Sequence, residues 1–173
     1  LFLSLPATLA LLIASEEITT SLFGYGSFDS LSVKNSSIAL FYFALGLPAF
    51  SFIKIFSSFL FARHNTKTPF YFSVFSVIIN ITISLYFFNK IGFIIIPIAT
   101  TISSWLNALL LLIYLTNKGY FSIKFDFIKS FLKIIFSTTL TSYIFYQLIN
   151  FFNDNLSYDS EYKLLTIILL VII

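Results

Sequence analysis

Long apolar runs alternate with short polar links along the chain. Six runs can be marked: Leu1–Phe23, Ser37–Ala62, Pro69–Phe88, Gly92–Leu115, Phe127–Ile149 and Lys163–Ile173. A helix needs about 20 residues to cross about 30 Å of hydrocarbon. The first five runs reach that length, and the sixth stops with the chain. A membrane barrel would instead show alternating segments of about ten residues, so strands are not expected. The pattern predicts an all-α fold, a polytopic transmembrane helical bundle of six helices.

Polar residues inside the runs recur at helical spacing. Ser51, Lys54 and Ser58 fall three and four apart in the second run. Ser73, Ser76, Asn80 and Ser84 do so in the third, and Pro97, Thr100, Ser104 and Asn107 in the fourth. Each set makes one polar stripe, which faces other helices or a wet cavity because lipid cannot satisfy it. The fifth run carries a softer cluster, Ser137, Thr138, Thr139 and Thr141, and the last shows only Thr166. The expected division is therefore 1–119, four packed helices around something polar, and 120–173, two peripheral helices.

The most informative link is Phe61–Pro69, read as Phe-Ala-Arg-His-Asn-Thr-Lys-Thr-Pro, with the chain's single arginine, Arg63, and single histidine, His64. Between two bilayer-length runs it makes a tight helical hairpin. Thr68 is placed to cap the helix that follows, and Pro69 suits its first turn, where a missing N–H has no partner to lose. The positive charge puts this turn on the cytoplasmic side. Arg63, Lys67, Lys118, Lys124, Lys129 and Lys133 then fall inside, against Lys34, Lys90 and Lys163 outside. Glu16, Glu17, Asp29, Asp154, Asp159 and Glu161 also fall outside.

Composition sharpens the class. Hydrophobic residues make up 58% and charged residues 10%, with a mean hydropathy of +0.97. A soluble domain carries roughly a quarter charged residues. With no cysteine, disulfides and thiolate metal sites are excluded. The net charge of +3 sits beside apolar spans, so no nucleic-acid partner is expected. The chain holds no methionine and begins and ends inside apolar runs, so we read it as a fragment whose front is missing. One histidine, no cysteine and no inward-facing carboxylate leave no triad, metal cluster or acid–base pair, so an enzyme is not expected.

Two constellations stand out. Lys54 lies nine residues before Arg63, about 13 Å deeper in the helix. A lysine in mid-helix costs about 2.5–3.5 kcal/mol on insertion scales. It is either a cation facing a cavity and meeting an anionic substrate, or a lysine that snorkels to the inner surface. Asn80 and Ser84 share a face, and Thr100 follows Pro97 by three residues. Pro97 cannot bond the carbonyl of Phe93, which is expected to loosen the helix beside the stripe. Freed carbonyls with side-chain oxygens hold sodium in transporters, whereas the plainer reading is interhelical hydrogen bonding.

Together these residues resemble a known family. Leu5-Pro6-Ala7, Leu22-Phe23-Gly24-Tyr25-Gly26-Ser27-Phe28, Ala44-Leu45-Gly46-Leu47-Pro48-Ala49-Phe50, Lys54 and the Phe61–Pro69 hairpin look like the MurJ/MviN lipid II flippases. So do Asn80, Ala99-Thr100 and Trp105-Leu106-Asn107-Ala108. The likeness runs from Leu5 to about Leu115, with the last two helices alike only in layout. Phe61 and Asn65 stand where the family often has Tyr and Asp, which weakens the hydrogen bonding of the turn.

The resemblance implies helices nine to fourteen of a 14-helix transporter of the MOP superfamily. Such a protein flips undecaprenyl-pyrophosphate-linked peptidoglycan precursor, lipid II, across the bacterial inner membrane by alternating access. Its partners are lipid II and membrane lipids. Lys54, Arg63 and Lys67 are the expected substrate or cavity cations here. No cofactor is expected apart from sodium, for which the aligning positions are Asn80, Ser84, Ile96 through its carbonyl, and Thr100. Other readings are another exporter of the superfamily, for lipid-linked oligosaccharide or drugs, a polyprenyl-phosphate membrane enzyme, or a structural subunit.

Overall fold

The computed structural model describes residues 2–121, 125–158 and 160–172. Lys124 and Asp159, assigned above to the inner and outer sides, lie outside the described residues, as does the side chain of Asp154. Among the described residues every regular element is helical. The order is α1 (Ser4–Ile13), α2 (Ser15–Phe23), α3 (Ser30–Ala44), α4 (Leu47–Ala62), α5 (Lys67–Ile91), a 3₁₀ turn (Gly92–Ile94), α6 (Ile95–Asn117), α7 (Phe125–Phe151), α8 (Asn153–Leu156) and α9 (Lys163–Ile172).

All six apolar runs are helical, but the first two are each built from two helices. The first breaks at the buried Ala14 (φ −115°, ψ 26°). The second begins earlier than its apolar residues suggest, because the Ser32 N–H donates to Asp29 Oδ1 at 2.9 Å and caps α3. It is interrupted at Leu45-Gly46, where Pro48 sits in the first turn of α4. A proline there has no N–H to continue a ladder from α3, so it suits a fresh start.

The chain forms two compact units. One spans Leu45–Leu132 and is organised on α4, α5 and α6. Gly92, at φ 75°, reverses the chain between α5 and α6, in a conformation that side chains resist. Cross-hairpin hydrogen bonds join Asn65 to Tyr114, Asn107 to Ser73 and Asn80 to Thr100. One partner steps forward as the other steps back, so the two helices are antiparallel. The Lys67–Asn117 stretch is thus two spans side by side. In contrast, α4 runs parallel to α6: the Trp105 Nε1–H donates to Leu45 O near one end, and Phe56 meets Phe121 near the other. Phe56, Leu60, Leu111 and Leu115 form the buried core.

The other unit comprises Phe2–Ala44 and Lys133–Ile173. Ala14, Ile149, Leu156, Ile167 and Leu170 make its core, with Ile13 and Ile18 packed against it. These units divide the chain differently from the 1–119 and 120–173 division expected above. The later part of α7 with α8 and α9 buries its apolar face against the first run rather than standing by itself.

Large apolar side chains remain exposed along the longest helices, including Phe70, Tyr71, Leu85, Phe136 and Tyr143. Water does not tolerate so continuous an apolar surface. Lipid or further transmembrane helices are its fitting surroundings.

Candidate functional site

The polar stripes of α5 and α6 meet as one seam. Asn80 is its hub: Nδ2 donates to Thr100 Oγ1 at 3.0 Å and to Ser103 Oγ at 3.3 Å. The Ser84 hydroxyl donates to Asn80 Oδ1 at 3.4 Å, and the Thr100 hydroxyl to Ile96 O at 2.8 Å. The four expected ion-site positions therefore lie on one hydrogen-bonded run. Farther along, Asn107 Nδ2 reaches Ser73 Oγ at 3.5 Å while its buried Oδ1 has no partner among the described residues.

Pro97 acts otherwise than expected. The 3₁₀ turn delays the start of α6 to Ile95, so the proline falls in the first helical turn. Its missing N–H is one that would have had no partner there, and it starts the helix instead of loosening one already formed.

The hairpin turn is a Schellman stop with an unusual residue. The His64 N–H donates to Phe61 O at 2.9 Å and the Asn65 N–H to Leu60 O at 3.0 Å. These are the paired bonds of that motif, and His64 takes its left-handed position at φ 58°. Histidine enters this region more readily than most side chains, though glycine is the usual occupant. The same motif ends α6, with Gly119 at φ 69° bonded to Thr116 O and Tyr120 bonded to Leu115 O.

Asn65, not Thr68, caps α5. The Thr68 N–H donates to Asn65 Oδ1 at 3.2 Å, and the helix already begins at Lys67. The Asn65 amide also donates to the Tyr114 hydroxyl at 3.1 Å. The Asn65 amide thus makes two bonds here, accepting from Thr68 and donating to Tyr114; an aspartate would take the second one in reverse, accepting from the phenol O–H.

The expected cations are distributed along α4 and its turn. The guanidinium of Arg63 stacks between two rings, 5.0 Å from the centroid of Phe59 and 4.1 Å from that of Tyr120. Stacking of this kind holds a charged group in place while leaving its N–H edge free for an anion. Lys67 lines a groove of about 580 Å³ with Ser57, Phe61, Thr66, Tyr71 and Ser73. Lys54 stands apart on α4, exposed. Over Leu45–Leu132 the sequence has Lys54, Arg63, Lys67, Lys90, Lys118, Lys124 and Lys129 against one acid, Asp126. This unit therefore presents a positive field to an anionic ligand.

Sequence reasoning missed Tyr114 and Tyr120, which hold the turn from 49 residues or more away. The basic-aromatic grouping of Lys118 with Gly119-Tyr120-Phe121 was the available signal.

Comparison with known proteins bears on this geometry. A family model described as "Lipid II flippase MurJ" matches residues 1–167. A probable lipid II flippase MurJ of Rickettsia prowazekii (strain Madrid E) is 35% identical over 170 residues, covering 98% of this chain and 33% of the relative. One of Rhizobium meliloti (strain 1021) is 41% identical over 120 residues, covering 69% and 22%. A solved structure, lipid II flippase MurJ in an inward closed conformation, superposes with a TM-score of 0.78 at 25% identity, covering 99% of this chain and 34% of that one. The chain thus spans about a third of the length of these full-length counterparts.

Proposed function

The chain belongs to the lipid II flippase MurJ family, and on that premise we propose that it is part of a transporter that flips lipid II across the bacterial inner membrane. The observation that carries this reading is the family match, which runs through nearly the whole chain. The Phe61–Pro69 turn is cytoplasmic in this reading. Its cations draw the pyrophosphate headgroup from the leaflet where lipid II is made. Arg63, fixed between its rings, offers a preorganised N–H edge, and Lys67 borders the adjoining groove. Lys54, about 13 Å deeper, is the next charge an anion entering along α4 meets. The role is transport, with the substrate's bonds unchanged.

We assign sodium to the seam of Asn80, Ser84, Ile96 O and Thr100. The residue types supply a neutral oxygen set, an amide, two hydroxyls and a carbonyl on adjacent antiparallel helices; Nδ2 of Asn80 faces Thr100 here, so holding sodium between the helices would take a turn of that amide to bring Oδ1 round. Sodium held by these residues would supply positive charge at the seam. Hard cations favour charged oxygens, so a carboxylate from elsewhere in the full-length protein would be needed for tight binding.

Depletion of the intact protein should make lipid-linked peptidoglycan precursor accumulate on the cytoplasmic leaflet, followed by lysis. Normal wall synthesis with loss of a surface polysaccharide would refute this assignment. For orientation, Thr66→Cys should react only with reagents that enter the cytoplasm, and Ser27→Cys with impermeant reagent from outside. For the ion, sodium should raise the melting temperature of the purified full-length protein more than potassium does, with less effect in Thr100→Val. An equal response of both proteins to both ions rules the ion out.

A further inference from the structure

Lys163 opens α9 and is only 3% exposed. A cation there breaks two rules at once. The start of a helix disfavours positive charge, and a buried ammonium loses hydration that only close partners can replace. The partners are present. Nζ donates to Gly24 O and to Tyr158 O, both at 2.6 Å. It also lies 4.2 Å from the centroid of the Tyr25 ring and 4.9 Å from that of Tyr158, well inside the range of cation–π attraction.

These walls are built rather than incidental. Gly24 ends α2, so its carbonyl points out at the negative end of the helix dipole. A Cβ on Gly24 would stand 2.5 Å from Thr20 O, which keeps this position to glycine. Tyr158 is itself anchored, its hydroxyl donating to Phe28 O at 2.8 Å. Two carbonyl oxygens and two ring faces around one ammonium are what a site for a small cation looks like.

We propose that Lys163 is a tethered cation, its ammonium filling a cation site formed by the Gly24 and Tyr158 carbonyls and the Tyr25 and Tyr158 rings. It pins the start of α9 to the turn that follows α2. Emptied of its lysine, the site takes a primary alkylammonium ion.

The test is chemical rescue in the purified full-length protein. Lys163→Ala should lower the melting temperature by several degrees and speed hydrogen exchange in residues 24–28 and 156–163 together. The substitution removes three carbons and an ammonium, so n-propylammonium should restore much of the loss. Tetramethylammonium, which has no N–H, should not restore it. Lys163→Met keeps an apolar stem without charge and should be as unstable as Lys163→Ala. Tyr25→Leu, which removes one ring and keeps the lysine, should show a milder loss in the same segments and serves if Lys163→Ala does not fold. The proposal fails if propylammonium stabilises wild type as much as the variant, or if Lys163→Met matches wild type. It also fails if Asp159→Asn costs as much as Lys163→Ala, since an ion pair would then explain the burial, or if Tyr25→Leu leaves stability and exchange unchanged.

Discussion

Two asparagines on the α5–α6 hairpin should respond in opposite directions to the same substitution by leucine. Asn80 spends its amide on two interhelical bonds, to Thr100 at 3.0 Å and Ser103 at 3.3 Å. Bonds of this kind between membrane helices average about 0.6 kcal/mol, with a maximum near 1.7. Their loss strands no donor on α6, because the Thr100 hydroxyl still reaches Ile96 O and the Ser103 hydroxyl still reaches Thr100 O; on α5 the half-buried Ser84 hydroxyl loses only a long bond of 3.4 Å to Asn80 Oδ1. Asn80→Leu should therefore cost about 1–2 kcal/mol. Asn107 makes one long bond, at 3.5 Å, and buries an acceptor without a partner. Leaving a buried polar atom unpaired costs about 1–3 kcal/mol, and leucine, of the same branching though larger, removes that atom. Asn107→Leu should be neutral or stabilising. The assay is the unfolding free energy of the purified full-length protein, titrated with denaturing detergent in potassium without sodium so that no ion contributes. A double-mutant cycle of Asn80→Leu with Thr100→Val should give a coupling of about 0.6 kcal/mol. If Asn107→Leu costs as much as Asn80→Leu, the seam is not partitioned into a satisfied and an unsatisfied half, and the reasoning fails.

The hairpin turn and the outer cap supply the remaining expectations. His64→Gly should raise stability by about 1 kcal/mol in the same detergent titration, because it relieves a left-handed side chain without touching the Schellman bonds. Asn65→Asp keeps the cap and lets the Tyr114 hydroxyl donate in place of accepting, whereas Asn65→Ala loses both bonds; in that titration the alanine should cost about 1 kcal/mol more than the aspartate. At the start of α3, the hydrogen bonds from Ser32 hold the Asp29 carboxyl below the ordinary aspartate range. A depressed value means that this contribution is present above the unfolded pKa and is lost as pH falls through the folded one. Wild type should thus lose more stability on acidification below the ordinary aspartate pKa than Asp29→Asn, and parallel curves for the two proteins would contradict this.

What the sequence made legible is what repeats at short range. Asn80, Ser84 and Thr100 could be set on facing stripes because a 3.6-residue period fixes which positions share a helix face. The cationic link and the short gap between the third and fourth runs showed where the chain turns, and so which stripes meet. Phase at the helix ends was less accessible. Pro97 reads as a kink if the helix starts at Gly92 and as an initiator if it starts at Ile95, and three residues of 3₁₀ turn decide between them. The same small shift moved the cap of α5 from Thr68 to Asn65. Long-range partners left no periodic trace at all. Arg63 reads only as an inner-face charge until Tyr120 arrives from the end of α6. Lys163 reads as an ordinary flanking lysine, since a cation before an apolar run is what interfacial anchoring predicts. That rule expects the ammonium in the headgroup layer, yet Lys163 is buried under a carbonyl 139 residues away in the chain. A flanking charge that turns inward at the wrong end of a helix dipole needs a compensating site, and here Gly24, Tyr25 and Tyr158 provide one. The departure from the local rule therefore locates a long-range contact that no local pattern could show.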